Sequence, residues 1–287
     1  MATDAHTILE QLAPPTLAGI AAVATLAGAM VAGGPLPAKN PELLKEPAIS
    51  LLYEASKAAK PRELAPGIDY RLIELADYGL KIHAWSFDKS RYRLRAADDK
   101  DPHGSRVGEL ISGKDVFAIN GGFFERDKEK VVKASGLLIV DGKEIAPAHE
   151  KAGSGIVYSN GRDVFIGYRK DLADHSTMKS AVQVGPILVD PGGKVGIADK
   201  QHDRQNRSAV CLRRDAFVMI AVEGGLSLFQ LASLLAAPEG GGCDSALNLD
   251  GGPSTQVIFH AGGHRLAVEG GWPVANALIV SPASKAP

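Results

Sequence analysis

Along most of this 287-residue chain, hydrophobic and polar positions alternate in short runs, which is the period of half-buried β-strands. Residues 70–75 and 79–85 show the alternation directly. Apolar runs bounded by turn residues predict further strands at 116–119, 136–140, 155–158, 164–168, 184–189, 208–212, 217–222, 246–249, 256–259 and 275–280. One segment has the helical period instead. Ser227 and Gln230 form a capping-box pattern, and Leu228, Leu231, Ala232 and Leu235 fall at i, i+3, i+4 and i+7, which predicts a helix over 227–236. Strand 217–222, this helix and strand 246–249 make a crossover long enough to set the two strands parallel in one sheet. Glu223 and Asp250 then sit at the same strand ends. The fold class expected is α+β, a single large mixed β-sheet domain with a few helices.

Composition adds the reason for so many turns. Glycine accounts for 32 of 287 residues, above the roughly 7% typical of globular proteins, and it often occurs in pairs. A net charge of −1 excludes the basic surface that nucleic acid requires, so no nucleic-acid partner is expected. Two cysteines, Cys211 and Cys243, fit no zinc or Cys-x-x-Cys spacing. In an oxidising compartment they are a candidate disulfide, and in a reducing one a pair of buried thiols.

The N-terminal part differs from the rest. Residues 17–34 are an uncharged, Ala-, Val-, Leu- and Gly-rich stretch, preceded by no Lys or Arg and followed by Lys39 and Lys45. Its length is about the minimum for a spanning helix, although the positive start of a secretory signal is missing. Residues 1–40 are therefore expected to be a signal- or anchor-like segment, with export and membrane association through residues 17–34. An Ala-rich helix packed on the domain is the alternative. Residues 41–63, interrupted by Pro47 and ended by Pro61, are expected as a helical linker, and 64–287 as the folded domain.

Chemistry concentrates at two glycine-ended strands. Phe117-Ala-Ile-Asn-Gly-Gly-Phe-Phe124 and Ala246-Leu-Asn-Leu-Asp-Gly-Gly-Pro-Ser-Thr-Gln256 each end an apolar run in a polar side chain and a glycine pair, an arrangement that presents a functional group beside open backbone. Asn-Gly and Asp-Gly are common turn pairs, so either alone reads as a turn. Together with Glu223 and the polar stretch Gln205-Asn-Arg-Ser208 they suggest a site. Phe123 and Phe124 are candidates to stack on a sugar or to fill the core. The histidines show no metal-ligand spacing, and neither a metal nor a cofactor is implied.

The ordered blocks Ala118-Ile-Asn-Gly-Gly-Phe-Phe124, Gly136-Leu-Leu-Ile139, Val184-Gly-Pro-Ile-Leu-Val189, Asn206-Arg-Ser-Ala209, Val222-Glu-Gly-Gly225, Cys243-Asp-Ser-Ala-Leu-Asn-Leu-Asp-Gly-Gly-Pro-Ser-Thr255 and Val274-Ala-Asn-Ala277 resemble the phosphodiester glycosidase domain family. The resemblance runs from about Leu64 to Pro282. It implies hydrolysis of a sugar-1-phosphodiester at the sugar C1–O bond, with a sugar-phosphate or phosphoglycan of envelope or exopolysaccharide as substrate. It places Asp250, Glu223 and Arg207 as catalytic candidates, and Asn120, Gly121, Gly122, Gly251, Gly252, Ser254 and Gly185 as substrate-binding candidates. Glu223 stands where many members have Asp-Gly, which leaves its role open; Gly252-Pro253 in place of a third glycine and Gly271-Trp272-Pro273 in place of charged residues leave the substrate open. A non-catalytic sugar-phosphate or polysaccharide binder of the envelope is the alternative.

Overall fold

The computed structural model describes residues 47–172, 174–198 and 203–283, so the apolar stretch 17–34 lies outside the described residues. Among those described, no helix is long and apolar enough to cross a membrane.

The described chain begins with helix α1 (Ile49–Ala58), then strands β1 (Arg62–Ala65), β2 (Ile68–Leu75), β3 (Leu80–Asp88), β4 (Tyr92–Asp98), β5 (Phe117–Asn120), β6 (Phe124–Arg126) and β7 (Val132–Ala134). Next come β8 (Leu138–Val140), β9 (Lys143–Ala146), β10 (Gly155–Ser159), β11 (Val164–Tyr168), β12 (Ser180–Val184), β13 (Ile187–Asp190) and β14 (Lys194–Val195). The last part holds β15 (Gln205–Leu212), β16 (Ala216–Leu226), helix α2 (Leu228–Ala236), β17 (Ser245–Asn248), β18 (Val257–Ala261), β19 (His264–Val268) and β20 (Asn276–Pro282).

The α+β class holds, and the strands divide among three sheets rather than one. The first has the order β1-β2-β3-β16-β15-β17-β13-β14, the second β11-β10-β12-β8-β9 and the third β19-β18-β5-β20-β4, with β6-β7 as a separate hairpin. Division follows from burial: both faces of the eight-stranded sheet are apolar and need covering. One face joins the other sheets in a core that includes Trp85, Phe87, Phe117, Ile119, Val182, Phe217, Leu247 and Phe259. The opposite face packs Ile82, Ala209, Val218 and Ile220 against Leu231 and Leu235 of α2 and Leu52 of α1. The segment expected as a linker thus contributes a packed helix, whose Tyr53 hydroxyl also donates to Ser233 O at 3.3 Å.

Helix α2 forms where the periodicity places it. Ser227 Oγ accepts from Gln230 N at 3.2 Å, and Gln230 Oε1 returns a bond to Ser227 N at 3.1 Å. The crossover also holds. β15 pairs antiparallel with both β16 and β17, so β16 and β17 run parallel, one strand apart. Cys211 and Cys243 are joined as a disulfide with Cα atoms 5.6 Å apart, tying β15 to the loop that enters β17.

Candidate functional site

The two glycine-ended strands come from different sheets and meet. Asp250 N donates to Gly121 O at 3.0 Å, and Asn120 Nδ2 donates to Asp250 O at 2.7 Å. Asn120 Oδ1 accepts from Ser208 Oγ at 2.7 Å and from Gln256 N at 3.2 Å. Asn120 is fully buried, and its amide holds together the end of β5, strand β15 and both ends of the Asp250 turn. Its geometry is that of a clamp on Asp250.

The glycines next to it are required by close approach. A Cβ on Gly121 would lie 2.1 Å from Asn276 Oδ1. Gly121 N donates to Asn276 O at 3.0 Å and Gly122 N to Asn276 Oδ1 at 2.7 Å. In the Asp250 turn, Gly251 N donates to Asp250 Oδ1 at 2.9 Å, and Gly252 takes a left-handed φ of 57° that favours glycine. The amides of Gly121, Gly122 and Gly251 therefore serve the fold rather than standing open to phosphate oxygens. Gly185 lies beneath the turn, where its carbonyl accepts from Asn248 Nδ2 at 3.1 Å.

The Asp250 carboxylate is held by Gly251 N and the Ser254 hydroxyl, yet burial outweighs both and raises its pKa above the ordinary carboxylate value. Beside the turn, the Cβ position of Gly251 is 3.9 Å from Arg207 Cα. Arg207 is buried. Its Nε donates to Leu226 O at 2.9 Å and its Nη2 to Asp203 O at 2.6 Å. Two of the three guanidinium nitrogens are thus engaged by the protein, and Nη1 is the one without a protein acceptor among the described residues. Burial lowers the Arg207 pKa, with Asp203 opposing.

Glu223 occupies the same end of the sheet on the other face. Arg207 pairs with Val222 in the ladder, so the next residue, Glu223, projects oppositely. Strands β16 and β17 are two strand spacings apart, roughly 10 Å. The partner of Glu223 is His83, whose Nε2 lies 2.9 Å from Oε1, while His83 Nδ1 is 2.8 Å from the Tyr70 hydroxyl. The His83 hydrogen bond is the main cause that holds the Glu223 carboxyl below its usual pKa. Asn206 completes this edge by accepting from Gly224 N at 3.1 Å.

His83 and Tyr70 are residues that sequence reading did not single out, and Ser208 and Asn276 fell within its motif blocks without a role of their own. His83 sits on a strand that alternation predicts, but its partner is 140 positions away, and no local pattern encodes the β3–β16 pairing. The aromatic candidates also sort themselves. Phe123 packs against the main core and Phe124 against the cluster around Ala118 and Ile279.

A sequence model described as phosphodiester glycosidase matches residues 113–281, and no curated protein matches significantly. Among solved structures, the chain is similar to the zebrafish N-acetylglucosamine-1-phosphodiester alpha-N-acetylglucosaminidase catalytic domain auto-inhibited by pro-peptide. Identity is 17%, coverage 79% of this chain and 82% of that one, and the TM-score 0.53. It is also similar to a hypothetical protein from Synechocystis at 16% identity and TM-score 0.52, covering 78% of this chain but 64% of the other, less than two thirds of its length. At these identities the likeness is one of fold. The match to the family's own sequence pattern spans more than half of the residues, and the chain belongs to the phosphodiester glycosidase family.

Proposed function

We propose that the protein hydrolyses a sugar-1-phosphodiester, water and the diester giving the free sugar and a phosphate monoester by cleavage of the C1–O bond. One observation carries this reading: a part-buried carboxylate, Asp250, is fixed on a glycine turn that packs beside the buried Arg207. A phosphate monoester departs with little need of protonation, whereas the oxocarbenium-like sugar needs negative charge or a nucleophile at C1. Asp250 supplies that carboxylate, either attacking C1 or taking a proton from water. A carboxylate whose proton affinity burial has raised suits proton exchange with water.

Arg207 Nη1 faces the phosphate, and Ser254 orients the Asp250 carboxylate. Asn120, Gly121, Gly122, Gly251, Gly252 and Gly185 shape the pocket wall and hold the turn. Glu223, kept ionised by His83, projects from the opposite face of the sheet to Arg207 and takes no part in the step at C1. The substrate class is an envelope or exopolysaccharide phosphoglycan encountered outside the cytoplasm. The Cys211–Cys243 disulfide suits an oxidising compartment, and the apolar stretch 17–34 suits export or membrane association.

A sugar-phosphate binder without turnover is the second reading, favoured by the engagement of two Arg207 nitrogens with backbone carbonyls. A panel of sugar-1-phosphodiesters assayed for free reducing sugar separates the two. Release of sugar supports hydrolysis; tight binding without release supports the binder. Hydrolysis in oxygen-18 water places label in the sugar for C–O cleavage and in the phosphate for P–O cleavage, and label in the phosphate would contradict the proposed bond.

A further inference from the structure

Among the exposed large apolar side chains of the described residues, Trp272 stands apart at 54% exposure, the others lying between 37% and 39%. Its loop is fastened to the Asp250 turn. Gly271 N and Trp272 N both donate to Pro253 O, at 2.7 and 3.1 Å. Gln256 Nε2 donates to Trp272 O at 2.9 Å, and the Arg106 guanidinium donates to the carbonyls of Gly270, Gly271 and Trp272. Backbone held this firmly does not need the indole for its own packing.

The same frame holds the carboxylate. Gln256 N donates to Asn120 Oδ1, and Asn120 Nδ2 holds Asp250 O, so one unbroken run of hydrogen bonds joins Asp250 to Trp272 through Asn120 and Gln256. Two close approaches bracket the turn. The Cβ position of Gly251 is 3.9 Å from Arg207 Cα, and that of Gly271 is 3.2 Å from Pro253 Cβ. Arg207 thus neighbours the Asp250-Gly251 turn, and the Trp272 loop is fastened to Pro253 of the same turn. With C1 at Asp250, a sugar ring lying over Pro253 comes against the Trp272 loop.

We propose that Trp272 is a stacking platform for the pyranose whose anomeric carbon faces Asp250. This assignment rests on the hydrolase reading above. The face of a pyranose that carries axial C–H groups is apolar, and an indole matches it in area and in the sign of its charge distribution, negative face against positive C–H edge. A pre-fixed platform loses little conformational freedom when the ring docks. The platform selects sugars that present an uninterrupted C–H face and is indifferent to the group beyond the phosphate.

The test uses the full chain with Trp272→Ala and Trp272→Phe. Against a phosphodiester that the wild type hydrolyses, W272A is expected to raise KM roughly tenfold with kcat within about twofold, and W272F to recover most of the loss. Tm should not move, because the ring is exposed. A second readout does not need turnover. Of the two tryptophans, Trp85 is fully buried, so N-acetylglucosamine 1-phosphate or glucose 1-phosphate should shift the exposed component of the emission. Inorganic phosphate should not, and the shift should vanish in W272F. An unchanged KM in W272A, or a sugar phosphate that binds by calorimetry while Trp272 emission stays still, overturns the platform and leaves the hydrolase intact. Absence of both binding and turnover across sugar phosphates and diesters overturns the two together.

Discussion

Replacing Asn120 by Ala tests whether this residue clamps the Asp250 turn or binds substrate. The side chain is fully buried and makes three hydrogen bonds, to Asp250 O at 2.7 Å, Ser208 Oγ at 2.7 Å and Gln256 N at 3.2 Å. Loss of each bond costs about 1 kcal/mol net, and each group left unpaired in the interior adds its own desolvation cost of about 1–3 kcal/mol. The Ser208 hydroxyl can rotate toward another acceptor, and water can enter the space left by the amide. A net loss of about 3–5 kcal/mol follows. Thermal and urea unfolding of the purified variant measure it. The turn carrying Asp250 also loses its anchor to β5, so kcat is expected to fall together with stability. If Asn120→Ala unfolds within about 1 kcal/mol of the wild type while KM rises and kcat stays constant, the clamp is wrong and Asn120 is a substrate ligand.

Three further outcomes follow from the same geometry. Because burial raises the Asp250 pKa above the ordinary carboxylate value, its ionisation opposes folding. That cost is absent below the unfolded value, grows as pH rises toward the folded value and is complete above it. Asp250→Asn should therefore be more stable than wild type at neutral pH, with the advantage disappearing in acid; a variant less stable at neutral pH would contradict it. His83 holds Glu223 below its usual pKa of 4.5, so His83→Gln should raise the Glu223 titration midpoint followed by carboxyl carbon NMR, and an unmoved midpoint would refute His83 as the cause. Replacing both cysteines by Ser opens a loop spanning a separation of 32 residues, and the loop-entropy relation gives a loss of about 4 kcal/mol; unchanged unfolding in reducing and oxidising buffer would refute it.

Much of the site was legible because its pieces are local. The Ser227–Gln230 capping box sets the start of α2, and the strand–helix–strand spacing around it sets β16 parallel to β17 with no knowledge of the rest. Two glycine pairs after polar strand ends suggest a site, and Asn120 and Asp250 are joined, though between two sheets rather than along one edge. Roles were less legible than positions. Backbone amides that looked open at Gly121 and Gly122 are engaged by Asn276, whose place beside them depends on the β5–β20 pairing. Arg207 gives two of its nitrogens to carbonyls from β16 and the segment before β15, which no pattern in the chain announces. His83 reaches Glu223 only because β3 and β16 are neighbours, and long-range strand pairing has no local signature. The disulfide remained one of two alternatives in sequence, since it depends on a Cα separation that only the folded chain defines.

The most direct test of the account is the rate at which Asp250→Asn releases sugar from a phosphodiester that the wild type cleaves. The substitution keeps the shape of the side chain and removes its charge and its basicity. With folding verified by its melting curve, the variant should lose at least about two orders of magnitude in kcat, the scale of removing a nucleophile or general base, while still binding the substrate. Release at the wild-type rate would show that Asp250 serves neither the anomeric carbon nor the water, and the proposed mechanism would fall.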